Sequence, residues 1–151
     1  MDLYGEKNKR KNIWFAMNKI LIGFDGSEGS EEALNRAMML IGEYGEMILL
    51  AVVPSPGDKT FVDANAYNLL KKKAKNLVDQ AIIDLGEHEF EIKGMVEQGD
   101  PASIIIDVAN RLNVDLIVLG SKGQSELGQY LIGSVANKVV QYAAKPVMVV
   151  R

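Results

Sequence analysis

The 151-residue chain has no cysteine, one histidine and one tryptophan. Without a thiol there can be no disulfide, no thiolate metal ligand and no cysteine nucleophile, and the chain is read as a cytoplasmic protein suited to a reducing compartment. Long apolar runs are missing as well. The stretch "IWFAM", after the basic "KNKRK", is too short for a signal-peptide core or a membrane span, so no membrane association is expected. Neither sign of charge dominates: 17 Lys and Arg stand against 20 Asp and Glu, a net of -3. No general attraction to nucleic acid follows, none is expected as a partner, and binding of a polyanion must come from a local site.

What is present has the balance of an ordinary globular domain, 48% hydrophobic and 25% charged, at a length that suits one domain with a real core. "MNKILIGFDGS" from Met17 reads as a natural domain start. Residues 1–16 are therefore expected to be a flexible basic extension and 17–151 the domain.

Short β-branched runs alternate with longer segments of helical period, the pattern of parallel strands joined by crossover helices. Strands are predicted at 19–24, 46–53, 89–99, 115–120 and 147–150. The third is polar enough for a sheet edge, and "DLIVLG" is apolar enough to be covered on both faces. Helices are predicted between them. The first carries Ala33, Leu34, Ala37, Met38 and Ile41 on one face, with Ser27 or Ser30 as its cap. The second carries a stripe of Leu69, Leu70, Ala74, Leu77, Val78, Ala81, Ile82 and Leu85, with Lys71, Lys72, Lys73 and Lys75 as a solvated face. The third opens with Asp100 as N-cap and Pro101 in the first helical position. The fourth starts at Ser134. Pro54, Pro56 and Gly57 make 54–65 a loop. The apolar last strand, "VMVV", offers an edge that a second copy of the chain would cover, which predicts a homodimer through 147–150.

In an open α/β sheet, ligands bind beyond the carboxyl ends of the strands where the strand order reverses. Right-handed crossovers make the first and fourth strands central neighbours, so "GFDGS" and "GSKGQ" should face each other there. Asp25 and Gly120 become joint candidates. In "GSKGQSELGQYLIGS" the glycines let backbone N–H groups approach a ligand, Gly133 and Ser134 open a helix whose dipole favours phosphate, and Lys122 adds a counter-charge. The same glycines would also serve a plain β-to-α connection. "GFDGSEG" has G-x-x-G-x-x-G rather than the dinucleotide spacing, and Gln129 stands where a P-loop needs lysine, so neither a dinucleotide fingerprint nor a Walker motif is present.

Gly120, Gly123, Gly133 and Ser134 fit the G-2x-G-9x-G-[S/T] pattern without a gap. Together with "ILIGFDGSEGSEEAL", "EQGDPASII" and "GSVANKVVQYAAKPVMVVR", they make the chain from Met17 to Arg151 resemble the universal stress proteins, in particular the ATP-binding members. The resemblance implies an open five-stranded parallel sheet of order 3-2-1-4-5 with helices on both faces, a homodimer paired through the last strand, and ATP or AMP in the crevice. By position, it places Asp25 near the adenosine moiety and the Val52 backbone at the adenine, with Phe24 flanking the base. Gly120, Gly123, Gly133 and Ser134 match the ribose and phosphate binders, and Ser121 and Lys122 lie inside the loop. Mg²⁺ or Mn²⁺ is expected to travel with the phosphates rather than on a dedicated protein ligand. Two departures stand out. Gln124 replaces a residue that is basic in many relatives, and Glu126 one that is small; a carboxylate there predicts weaker binding of ATP than of AMP or ADP.

Phosphoryl transfer requires an oriented water and stabilised charge. No arginine lies between Gly120 and Ser134, and His88 precedes the third strand, at the end of the sheet away from the crevice. The leading reading is a nucleotide-binding regulatory or stress-response protein with slow or no hydrolysis, acting as a nucleotide-dependent dimer on a regulatory protein partner. An ATP hydrolase or phosphotransferase that needs a partner, and a dimeric scaffold that binds no nucleotide, are the alternatives.

Overall fold

The structure, a computed structural model, describes residues 17–55, 64–121 and 132–151. The predicted extension 1–16, most of the 54–65 loop, and Lys122, Gly123, Gln124 and Glu126 lie outside the described residues. The elements are β1 (Met17–Gly23), α1 (Glu28–Leu40), β2 (Ile41–Val53), α2 (Ala64–Leu85), β3 (Glu91–Gln98), α3 (Pro101–Leu112), β4 (Leu116–Gly120), α4 (Ser134–Tyr142) and β5 (Val147–Val150). They form one parallel sheet in the order β3-β2-β1-β4-β5, as expected, with β1 and β4 at its centre. No helix among the described residues is long and apolar enough to cross a membrane.

Alternation along each strand divides the core into two layers. Ile20, Ile22, Met47, Leu49, Leu116 and Val118 face α1 and α2, whose Ala33, Leu34, Ala37 and Val78 cover them. Leu21, Ile48, Leu50, Ile117 and Leu119 face α3 and α4, covered by Ala102, Ile105, Val108, Ala136 and Val139. Leu116 to Leu119 are all buried, two on each face, which is why "DLIVL" shows no alternation.

Two helices start as predicted. Ser27 Oγ accepts the Ser30 N–H at 3.2 Å, closing the first turn of α1. Asp100 Oδ2 accepts from the Ser103 N–H (3.1 Å) and Oγ (2.7 Å), with Pro101 following in the first turn of α3.

Two expectations need correcting. The second strand begins at Ile41, not 46, because the chain leaves α1 straight into an irregular lead-in; the pairing with β1 slips between Met17↔Ile41 and Lys19↔Glu46. Residues 41–45 include Gly42 and Gly45 and carry no alternating pattern, so nothing local marks them as strand. In α2 the predicted stripe is only half used. Val78 is buried, and Ala74, Ala81, Ile82 and Leu85 pack on the core, whereas Leu69, Leu70 and Leu77 are exposed.

Candidate functional site

The carboxyl ends of β1 and β4 lie side by side, and the chain leaves them toward opposite faces of the sheet. This juxtaposition makes a crevice without any side chain being specified. On the β1 side, Asp25 is held by its own turn. Its Oδ1 accepts the Ser27 N–H at 2.9 Å, and its N–H approaches Ser30 Oγ at 3.4 Å. Ser30 is buried and donates its hydroxyl to the Ser27 carbonyl at 2.9 Å. The Asp25 side chain is thus exposed on a braced loop rather than on a free one. Gly26 beside it has φ 79°, and a Cβ there would meet Leu77 of α2 at 2.9 Å, so the loop is pressed against that helix.

Phe24 is only 3% exposed, and its ring lies in the core layer of α1 and α2. The side chain expected to flank a base is engaged in packing. Val52 occupies a different position. In a parallel sheet the N–H and C=O of one residue point to the same neighbour, and the next residue's point to the other. The Leu50 carbonyl accepts from Phe24 on the β1 side, and the Val53 carbonyl accepts from Gly99 on the β3 side. The Val52 amide groups therefore face the β1 side, past Gly23, the last β1 residue in register with β2.

On the β4 side, a Cβ on Gly120 would lie 2.6 Å from the carbonyl carbon of Gly29 and 2.7 Å from its oxygen. The end of β4 thus packs directly on the first turn of α1, backbone against backbone. The sequence reading assigned Gly120 to a ligand and weighed Gly29 only as the last glycine of "GFDGSEG". The available signal was a glycine inside a helix, which is unfavourable by about 1 kcal/mol relative to alanine unless packing requires it.

Ser121 is 5% exposed and joins two elements through its backbone. Its N–H donates to the Val150 carbonyl at 2.8 Å, and its carbonyl accepts from the Gly133 N–H at 2.5 Å. The Gly133 N–H is therefore engaged within the chain. The first helical bond of α4 runs from Asn137 N–H to the Gly133 carbonyl, so the N–H groups of Ser134, Val135 and Ala136 precede the ladder. Gly133 is the N-cap and has no side chain to satisfy them. Among the described residues, α1 and α3 close their first turns through the side chains of Ser27 and Asp100, whereas α4 has no side-chain cap and directs the positive end of its dipole toward the crevice.

Asp100 lies near α4 at the same end of the sheet, bonded to Lys138 Nζ at 3.0 Å. Hydrogen bonds from Ser103 and then from Lys138 lower its pKa to about 2. Tyr67, not among the predicted residues, lies on the core side of α2, seven residues before Ala74. Its hydroxyl is buried without a hydrogen-bond partner, and Lys71 Nζ sits 5.0 Å from its ring centroid. Among the described residues no three His, Cys, Asp or Glu are grouped to hold a metal ion.

The opposite end of the sheet carries charge but little free chemistry. A concavity there is lined in part by Tyr44, Glu46, Glu89, Glu91 and Asp115. Asp115 is occupied in accepting the Asn18 and Lys19 N–H groups, and Glu46 pairs with Lys93 at 3.1 Å. Glu89 has its pKa raised by a hydrogen bond to, and repulsion from, Glu43. His88 stacks on Phe90 at 4.7 Å and contacts the Leu85 carbonyl at 2.6 Å, outside the crevice.

Fold and crevice define an open, doubly wound α/β protein with its candidate site at the strand-order switch. The profile of the Universal stress protein family matches residues 17–151, and the chain belongs to that family. It is 33% identical over 147 residues to universal stress protein YxiE of Bacillus subtilis, covering 89% of this chain and 99% of that protein. A solved structure of protein MJ0577, from Methanocaldococcus jannaschii, superposes with a TM-score of 0.72 at 33% identity, covering 88% of this chain and 94% of that one. A universal stress protein solved in complex with cAMP shares the fold, with a TM-score of 0.65 at 22% identity and coverage of 90% and 98%.

Proposed function

We propose that the chain is an adenine-nucleotide-binding regulatory protein of the universal stress family, taking ATP or AMP in the crevice between β1 and β4. The observation that carries this is the first turn of α4, which has no side-chain cap among the described residues and is fixed to the end of β4 through Ser121. Three N–H groups and the positive end of a helix dipole suit phosphate oxygens. The backbone of Val52 and the carboxylate of Asp25 lie on the other side of the crevice, where an amide can read a base edge and a carboxylate can accept from ribose hydroxyls. Mg²⁺ or Mn²⁺ would accompany the triphosphate as its counter-ion. The loop from Gly120 to Ser134 has Lys122 as its one cation and no arginine, which favours binding with slow or no hydrolysis.

The same Ser121 backbone connects phosphate site and sheet edge, since Val150 ends β5. Val147, Met148 and Val149 on that edge are only half-buried in the single chain, which supports pairing of two copies there in a nucleotide-dependent way. Calorimetric titration of Mg²⁺-ATP, then AMP, into protein shown by mass spectrometry to be nucleotide-free tests the reading. Saturable binding, lost in a folded Gly133→Val, Ser134→Ala double variant, is the expected result. Nucleotide-free, folded wild-type protein that gives no heat would overturn it. Sedimentation in parallel is expected to show a tighter dimer with nucleotide.

A further inference from the structure

The start of α2 stands clear of the sheet. Leu77 rests on the Gly26 turn at the mouth of the crevice, and Val78 covers Gly94 of β3. At 1.5 Å per residue, Leu70 on the same side of the helix is carried about 10 Å beyond that level. From Ala64 to Lys73 every side chain is exposed except the half-buried Tyr67. Within this stretch Leu69 is 67% exposed and Leu70 49%, and Leu77 below them is 37% exposed. Ala66, Leu69, Leu70, Lys73 and Leu77 fall at i, i+3, i+4, i+7 and i+11, one continuous stripe to the side of the face that packs on β2 and β3. Lys71, Lys72 and Lys75 lie around it, and no acidic residue occurs between Ala64 and Asn76. Lys75 is paired with Asp79 at 2.7 Å.

We infer that this ledge is a docking surface for a protein partner, and that the partner presents an acidic amphipathic segment. A chain of net charge -3 that gathers four lysines around three exposed leucines has a local field opposite to its overall one. Leucines at Leu69, Leu70 and Leu77 span about 12 Å along the helix, the reach of two to three turns of a second helix anchored at i, i+3 and i+7. Leucine-type anchors would supply contact area, and carboxylates on their flanks would meet Lys72 and Lys73.

The probe is a fluorescein-labelled 18-residue peptide of leucine at helical spacing in a glutamate background, titrated into the full chain and read by anisotropy. Binding is expected to saturate, to weaken with added salt, and to fall at least tenfold both in Leu69→Ser, Leu70→Ser and in Lys72→Glu, Lys73→Glu. Arg36→Glu, on the exposed side of α1, should leave it unchanged. All these side chains are exposed, so circular dichroism melts of the variants should match the wild type. Equal binding of poly-glutamate, no effect of the leucine pair, or a large loss of stability in that pair would overturn the proposal. So would binding to phosphatidylglycerol vesicles without binding to the peptide.

Discussion

Alanine at position 120 separates two roles for the first glycine of the loop. If Gly120 is there only so that a ligand can come close, the nucleotide-free protein will tolerate the change. The geometry says otherwise: the new Cβ would lie 2.6, 2.7 and 3.0 Å from the C, O and Cα of Gly29. Carbon atoms rest at about 3.5–4.0 Å, so strand end and helix must part by roughly 1 Å. Both contacting groups are backbone, and no rotamer change relieves them. Overpacking costs about 1–3 kcal/mol in general, and this site belongs at the upper end, about 3 kcal/mol. In a domain of this size each kcal/mol moves the melting temperature by about 2–4 °C, so Gly120→Ala should melt roughly 6–12 °C below wild type. Gly23→Ala is the control, because its Cβ would meet Leu119 Cδ2 at 2.6 Å, a side-chain end that can rotate; about 1 kcal/mol is expected there. Calorimetric melts of protein stripped of nucleotide make the comparison. A Gly120→Ala protein that melts within about 2 °C of wild type would refute the packing argument.

Ser27→Ala removes the acceptor of the Ser30 N–H and should cost about 1 kcal/mol in urea titration, with Ser27→Asp restoring most of it; no loss would mean that water caps α1 equally well. Asp100 supplies the pH dependence. Its pKa is held at about 2, below the ordinary 3.8, so its stabilising effect is complete above about pH 4 and is lost as pH falls toward 2. The stability gap between wild type and Asp100→Asn should therefore narrow over that window, and a gap that stays constant in melts from pH 5 to 2 would show that the ionised carboxylate contributes nothing.

The element order and the two cap signals were readable because they are local. An apolar run of five, a 3.6-residue stripe and Ser-x-x-Ser or Asp-Pro at a helix start act within a few residues of themselves, and Ser27 and Asp100 cap as their positions suggest. The strand order followed from handedness together with the family resemblance. Where local pattern was absent, as in the Gly-containing lead-in of β2, the reading stopped short. Where pattern was present but partner surface was not, as for Leu69 and Leu70, it went too far, because periodicity shows that a helix has an apolar face and not how much sheet is available to cover it.

The candidate site divides in the same way. The glycines and Ser134 were legible as a pattern, Asp25 from its place after the first strand at the strand-order switch, and Val52 through resemblance. Only the tertiary structure shows that Phe24 turns into the core, that Ser121 ties β5 to α4, and that the Gly133 N–H is already engaged. Gly29 and Gly120 are far apart along the chain, and their contact leaves no mark on the residues around either. By itself the sequence determined which segments become strands and helices, since hydrophobic period and capping are properties of neighbouring residues. Which backbone groups at the crevice are already engaged was decided by the packed sheet, because the bonds that take them up, such as Ser121 to Val150 and Gly133 to Ser121, join segments distant in the sequence.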